Sequence, residues 1–331
     1  MGEPAGIGAE IAAAAWAEIT AAAWVEITAA AWVADGVPFF LIGDADAVPG
    51  PVVRITAPEQ AAAAFAHGLP VLHMPLAARP VPGRLDPANA PAVIASIEAA
   101  VGFARAGRVA AVVTNPIQKS VLTGAGFRHP GHTEFLHALA PEAARPVMLL
   151  ASDELRVVPV TIHEPLAQAI ARLTSDMIVE TARITAAGLI RDFGIPSPRL
   201  AVAGLNPHAG EAGTMGHEDQ AIVAPAVAAL RGLGIDARGP LPPDTMFTAL
   251  ARPRMDCAIC LYHDQALIPI KTLDMDGGVN VTLGLSIIRT SPNHGTALDI
   301  AGQGVARPNS LIAALRLAAR LAANRGQGGK A

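Results

Sequence analysis

The sequence predicts an α/β fold with a largely parallel sheet, on three observations. Short apolar or β-branched runs bounded by turn residues alternate with stretches of helical pattern, the order that places strands beneath covering helices. Three such runs, far apart in the chain, each lead to a histidine: RVVPVTIH at 156–163, LAVAGLNPH at 200–208 and DCAICLYHD at 256–264. Ligands of open α/β sheets bind beyond the carboxyl ends of strands, so these imidazoles are candidates to converge on one metal ion. The composition, 52% hydrophobic and 16% charged over 331 residues, supplies a buried core and excludes global disorder.

The elements follow in order. Residues 9–33 read as a helix with an eight-residue direct repeat, EITAAAWV at 18–25 and again at 26–33. A degenerate copy ending in Trp16 and Ala17 precedes both. Eight residues advance a helix by about 800°, a net shift of about 80°, so Trp16, Trp24 and Trp32 share no single stripe. The repeat therefore reads as a local duplication that lengthens one helix, far too short for a solenoid. FFLIGD at 39–44 reads as a strand, 70–91 is proline-rich and 91–106 reads as a helix. VAAVVT at 109–114 is the next strand and runs into NPIQK at 115–119 and a helix start. Strands near 146–150 and 156–162 precede a helix near 174–193. A strand at 199–205, a helix near 218–233, a strand at 256–262 and a helix near 308–324 complete the pattern, with a frayed polar tail at 324–331. No Ser/Gly linker marks a boundary, so two lobes would be intertwined in sequence.

Charge and cysteine usage narrow the function classes. The net charge of −4 leaves no basic footprint for nucleic acid. The two cysteines, Cys257 and Cys260, share one apolar run, which excludes a disulfide framework and fits a reducing compartment. Their C-x-x-C spacing reads as core packing ahead of redox chemistry. Glu10, Glu18 and Glu26 interrupt the Ala-rich start and no basic segment precedes it, so neither a signal peptide nor a membrane span is read there. The expectation is a cytoplasmic protein that binds no membrane.

Several segments carry polar groups suited to chemistry. GEPAGIGAE at 2–10 opens a helix; a tight turn and an anion-binding loop are equally open readings. GHTE at 131–134 precedes an apolar helix that Thr133 is placed to cap, while His132 and Thr133 equally suit a phosphate or carboxylate. Any single histidine is more often structural than a ligand, but three at strand ends raise the odds, because neutral imidazole suits Zn, Co or Ni. GGVNVTLG at 277–284 mixes strand formers with glycines that permit close ligand approach. Lys271 and Arg289, on either side of it, read either as solvated charges or as holders of a phosphate or carboxylate.

Together these segments resemble the 4-hydroxythreonine-4-phosphate dehydrogenase (PdxA) family. The strings that carry the resemblance are MGEPAGIGAE, TNPIQK, GFRHPGHTEFL, PVTIHEPL, LNPHAGE, GPLPPDTMF, YHDQALIPIK and GVNVTLGLSIIRTSPNHGTALDIAG. They run through nearly the whole chain in family order. The resemblance implies a two-lobed α/β/α fold like that of isocitrate and isopropylmalate dehydrogenases, one lobe near 1–130 plus 300–331 and the other near 131–299. It implies a homodimer with shared active sites. His163 and His208 of one subunit and His263 of the other would hold a divalent metal, Zn, Mg or Co. His132, Thr133, Lys271, Asn280 and Arg289 match substrate-contacting positions. Asp244, Asn280 and Leu283 fall where NAD, or NADP, would bind without a G-x-G-x-x-G loop. The implied reaction oxidises 4-phosphooxy-L-threonine at C3 and then decarboxylates it to 3-amino-2-oxopropyl phosphate, in vitamin B6 synthesis. Lys271 and His208 are the implied catalytic residues, and the proton acceptor stays open between Lys271 and a hydroxide at the metal. Sister activities on a four-carbon sugar-acid phosphate or an aromatic cis-dihydrodiol, and a non-catalytic ligand-binding relative, are the alternatives. Family members usually carry a short apolar strand before MGEPAGIG and lack the tryptophan repeat; both departures bear on stability more than on the proposed ligands.

Overall fold

Helix α1, Gly8–Val25, begins directly after the Gly/Pro loop and turns Ile11, Ala15 and Ile19 inward, four residues apart along one face. The computed structural model describes residues 1–25, 38–129, 131–140 and 144–328. The second copy of the repeat, with Trp32, lies outside the described residues. Trp16 is anchored through its indole N–H, which donates to the carbonyl of Phe65 at 2.8 Å.

The chain divides into two units, 1–143 with 286–322 and 144–285 with 323–331. The expected limits were 130 and 299. The segments carrying His132, Thr133 and Arg289 thus belong to the first unit.

In the first unit, strands β1 (Leu41–Gly43), β2 (Val52–Ile55) and β3 (Leu69–His73) form a parallel sheet in the order β1-β3-β2, with helix α2, Ala61–Phe65, between β2 and β3. The start of the proline-rich stretch hides β3, because Pro70 sits inside it. Helix α3, Ala90–Arg105, buries Val93, Ile97 and Val101 at four-residue spacing. Strand β4 (Val112–Val113) and the short helices α4 (Lys119–Gly124) and α5 (His132–Leu139) follow.

The second unit opens with β5 (Val147–Ala151) and β6 (Arg156–Pro159), then α6 (Leu166–Arg172) and α7 (Ser175–Arg191). Thr174 caps α7, its hydroxyl accepting the Met177 N–H at 3.2 Å. Next come β7 (Leu200–Ala203), α8 (Ala224–Gly232), β8 (Ala237–Leu241), β9 (Cys257–Cys260), α9 (His263–Leu273) and β10 (Val279–Leu283). The strand order is β10-β5-β6-β9-β7-β8, antiparallel at β10/β5 and β5/β6 and parallel from β6 to β8. Val157, Ala201, Ala258, Cys260, Leu267 and Ile270 form its core on one face. Both cysteines are fully buried, and burial raises the Cys257 thiol to about 12 and the Cys260 thiol well above its usual range. Thiols held protonated in this way pack rather than react.

The chain then returns to the first unit as β11 (Arg289–Pro292), parallel to β4 with Arg289 opposite Val112. Helix α10, Asn309–Gly328, accepts the Thr290 hydroxyl on its Ala314 carbonyl at 2.9 Å.

Candidate active site

The three histidine-bearing strands are immediate neighbours. β9 lies between β6 and β7, all three run parallel, and Val157 and Leu200 face Ala258 and Cys257 across it. Parallel strands deliver their carboxyl ends to one edge, so His163, His208 and His263 all emerge on that edge of the second unit. The His163 and His263 rings lie 5.9 Å apart, centre to centre. They line a cleft of about 450 Å³ with Thr161, Glu164, Leu166, Ala169 and Tyr262. His263 opens α9, and its Nδ1 lies 2.6 Å from the Asp264 carboxylate. A carboxylate accepting from Nδ1–H fixes which ring nitrogen carries the hydrogen and turns Nε2 to the metal.

Buried side chains lock these strand ends together. The Thr161 hydroxyl donates to the Leu261 carbonyl at 2.8 Å. Gln265 accepts the Leu261 N–H at 2.6 Å and donates to the Gly204 carbonyl at 2.8 Å. His208 itself is exposed, on a loop at 207–213 whose residues 208–212 all have positive φ. His208 does not line the His163–His263 cleft, and among the described residues no three His, Cys, Asp or Glu side chains cluster closely enough to enclose a metal.

The first unit holds a separate polar centre. Arg289 is buried on β11, and its Nε and Nη2 donate to the Thr114 hydroxyl at 3.1 and 2.7 Å. Burial lowers its pKa to about 10. His132 opens α5, and its Nε2 is sealed from solvent without a hydrogen-bond partner. Burial, then the charge of Arg289, pushes the His132 imidazole well below its ordinary value, so it is neutral. A buried guanidinium beside a neutral ring nitrogen with open capacity is suited to a phosphate or carboxylate. Thr133 lies inside the first turn of α5, whose N-cap is Gly131, so the expected capping role falls away.

The Gly/Pro loop resolves towards the tight-turn reading. The N–H of Glu3 donates to Pro116, that of Gly6 to the Glu3 carbonyl, and that of Ile7 to Thr296. A side chain at Gly2 would sit 2.5 Å from the Pro116 oxygen. These glycines serve close packing, and the loop spends its donors internally.

In the second unit Lys271 is half-buried in the last turn of α9 and Asn280 is half-buried on β10. The expected cofactor residues are spread across the second unit. Asp244 follows β8 and Asn280 lies on β10, five strand spacings apart in the order β10-β5-β6-β9-β7-β8, which at about 4.8 Å per strand separates the two strands by roughly 24 Å. Leu283 is fully buried, and a Cβ at Gly188 of α7 would come within 2.9 Å of it, so its side chain packs the core. Sequence reasoning missed Gln265, Thr161, Thr114 and Asp219. The signal for the first three is a polar residue at or just beyond the carboxyl end of an apolar run, or at the start of the helix that follows.

The sequence matches the family described as pyridoxal phosphate biosynthetic protein PdxA over residues 33–318. The chain belongs to the PdxA family. Two PdxA relatives named 4-hydroxythreonine-4-phosphate dehydrogenase, from Bradyrhizobium diazoefficiens and Caulobacter vibrioides, are 56% and 51% identical. The alignments cover 98% of this chain in both cases, and 96% and 97% of the relatives. A solved 4-hydroxythreonine-4-phosphate dehydrogenase from Klebsiella pneumoniae superposes with a TM-score of 0.85 at 37% identity, over 97% of this chain and 96% of that one. A terephthalate 1,2-cis-dihydrodiol dehydrogenase from Burkholderia xenovorans is more distant, at a TM-score of 0.63 and 29% identity over the same shares. No helix among the described residues is long and apolar enough to cross a membrane.

Proposed function

We propose that this PdxA chain is an NAD-dependent 4-hydroxythreonine-4-phosphate dehydrogenase that serves vitamin B6 synthesis. The observation that carries the reading is the His163–His263 pair at the carboxyl ends of adjacent parallel strands, in a chain 56% identical to a relative of that name. In the reaction, C3 of 4-phosphooxy-L-threonine loses hydride and its hydroxyl loses a proton, giving a 3-keto acid. The bond from C2 to the carboxylate then breaks, CO2 leaves, and the electron pair passes into the ketone before C2 is reprotonated to give 3-amino-2-oxopropyl phosphate. NAD, when bound, accepts the hydride; Asp244 and Asn280 are proposed as contacts to it.

The donor set fits a divalent metal: neutral imidazoles are borderline ligands that suit Zn and Co, with Mg a further candidate. His163, His263 and His208 would hold it, and when bound it supplies Lewis acidity to the substrate's C3 oxygen. Arg289 and His132 take an anionic group of the substrate, the first by charge and the second through Nε2. Thr133 and Asn280 are proposed as further substrate contacts. Lys271 is the proposed acceptor of the hydroxyl proton.

We further infer a homodimer in which each site is shared. Leu166 and Ile170, 52% and 39% exposed, lie on α6 beside the His163 cleft and give a partner an apolar footing. The resemblance had assigned His263 to the partner. The His163–His263 pair within one chain instead supports a division in which these two stay together and a partner supplies His208. Two buried free thiols fit a cytoplasmic location.

The test is NADH formation by the purified protein with 4-phosphooxy-L-threonine and added Zn, Mg or Co. Absorbance growth with at least one metal is expected, and none with any metal overturns the assignment. Faster turnover of an aromatic cis-dihydrodiol dicarboxylate would move the chain to the sister activity.

A further inference from the structure

Asp219 lies beneath the loop that carries His208 and is 1% exposed. Its Oδ1 accepts the Leu205 N–H at 2.7 Å, and its Oδ2 accepts the Asn206 N–H and the Asn206 side-chain amide, both at 3.0 Å. The Asn206 amide also donates to Glu218 at 2.9 Å. From this anchor the chain enters five consecutive left-handed residues: His208 (φ 53°), Ala209 (55°), Gly210 (78°), Glu211 (39°) and Ala212 (56°). Residues with a Cβ avoid this region, so such a run persists only where the surroundings over-determine it. The surroundings here are close. A Cβ at Gly210 would stand 3.3 Å from the Asp219 carboxylate, and one at Gly204 would stand 3.1 Å from its other oxygen and 2.8 Å from Ala209. The Met215 N–H returns to the Gly210 carbonyl at 3.1 Å and closes the loop.

We propose that Asp219 is a positioning residue for the reaction: it holds the left-handed loop that presents His208 to the metal. The proposal rests on the reading of His208 as a metal ligand. Asp219 does not line the cleft; it acts through Leu205, Asn206 and the turn that follows. A carboxylate suits the task because three N–H donors converge on it and it has no proton of its own to place among them.

The experiment is a Co(II) titration of the full chain, read by the visible ligand-field spectrum and by the dissociation constant, with near-UV circular dichroism to verify the fold. Three proteins are compared: wild type, His208→Ala and Asp219→Asn. Asp219→Asn keeps the volume but turns an amide towards the N–H donors. Its Co(II) affinity is expected to fall about tenfold, as when the outer partners of metal ligands are removed, and its spectrum to move towards that of His208→Ala. Adding Glu211→Gly, which removes the steric cost of one left-handed position, is expected to restore part of the affinity. A folded Asp219→Asn protein with wild-type spectrum and affinity overturns the proposal while the His208 reading stands. An unchanged titration for His208→Ala overturns the His208 reading itself, and this proposal with it. Should Asp219→Asn fail to fold, Asn206→Ala removes only the side-chain donor and carries the same expected spectral shift, with no shift overturning the proposal.

Discussion

Gln265 donates from Nε2 to the carbonyl of Gly204 over 2.8 Å, while its Oε1 accepts the Leu261 N–H at 2.6 Å. Gly204 follows β7 and Leu261 follows β9, so one buried carboxamide ties the strand ends that lead to His208 and His263. Gln265→Leu fills similar volume but leaves a buried carbonyl and a buried N–H without partners. Each such group costs about 1–3 kcal/mol. Urea unfolding at neutral pH should show a loss of that order, with unchanged m-value. A loss within about 0.5 kcal/mol, the range of an ordinary surface change, would mean that the carboxamide bond is idle.

His132 gives the acid limb of stability a definite sign. Burial holds its imidazole neutral, with the pKa well below 6.5. The unfolded chain therefore binds more protons than the folded one in the window below pH 6.5. Stability is full above that value and falls as pH drops towards the lowered folded pKa. One such group adds at most about 1.4 kcal/mol per pH unit to the slope. His132→Asn should flatten the stability curve beneath pH 6.5 by up to that amount. An unaltered slope would mean that His132 takes up its proton in the folded state as readily as in the unfolded one.

The strand ends were legible because apolar runs closing on histidine carry two signals at once: a buried strand, and a polar group where a buried strand must stop. That pattern placed His163, His208 and His263 on one sheet edge without any motif of fixed spacing. The limits of the units were not legible. The segments at 131–140 and 286–299 are connected by sequence to the second unit but packed in the first, through pairings such as Arg289 with Val112 that no local pattern reveals. β3 was hidden by Pro70, and α9 by Pro269 within it. The resemblance placed Leu283 at the cofactor, yet its side chain is buried against Gly188, on a different element. Asp219 left almost no sequence trace, since its function lies in three N–H groups thirteen and fourteen residues upstream.

Asp192 should set a second acid limb, of the opposite chemical type. Its carboxylate, 4% exposed, accepts both Arg191 Nε and Nη2, at 2.8 and 2.9 Å, and Arg325 Nε at 2.5 Å. Burial pushes the carboxyl up, but the bonds and charges of Arg191 and Arg325 outweigh it and hold the group below its usual 3.8. The stabilisation is present above that ordinary value and is lost as pH falls through the lowered one. Asp192→Asn should cost about 3 kcal/mol at neutral pH. The gap to wild type should start to narrow below pH 3.8 and close once pH falls beneath the lowered folded value, where both side chains are uncharged. A gap independent of pH would assign the effect to packing alone.

The division of the metal ligands between subunits can be read by complementation. His208→Ala and the double variant His163→Ala/His263→Ala should each lose more than about a hundredfold of the metal-dependent activity, beyond the range for outer partners. Chelation of wild type should do the same and readdition of metal reverse it. When the two variants are unfolded, mixed in equal amounts and refolded, half of the dimers pair one of each. If His163 and His263 act from one chain and His208 from its partner, each mixed dimer regains one complete site of two, or about a quarter of wild-type activity. If His263 instead crosses to the partner's His163 and His208, this mixture stays inactive and His263→Ala with His163→Ala/His208→Ala recovers. Recovery in neither mixture leaves two arrangements, which a third mixture separates: His163→Ala with His208→Ala/His263→Ala recovers if His163 alone crosses, and stays inactive if all three ligands act from one chain.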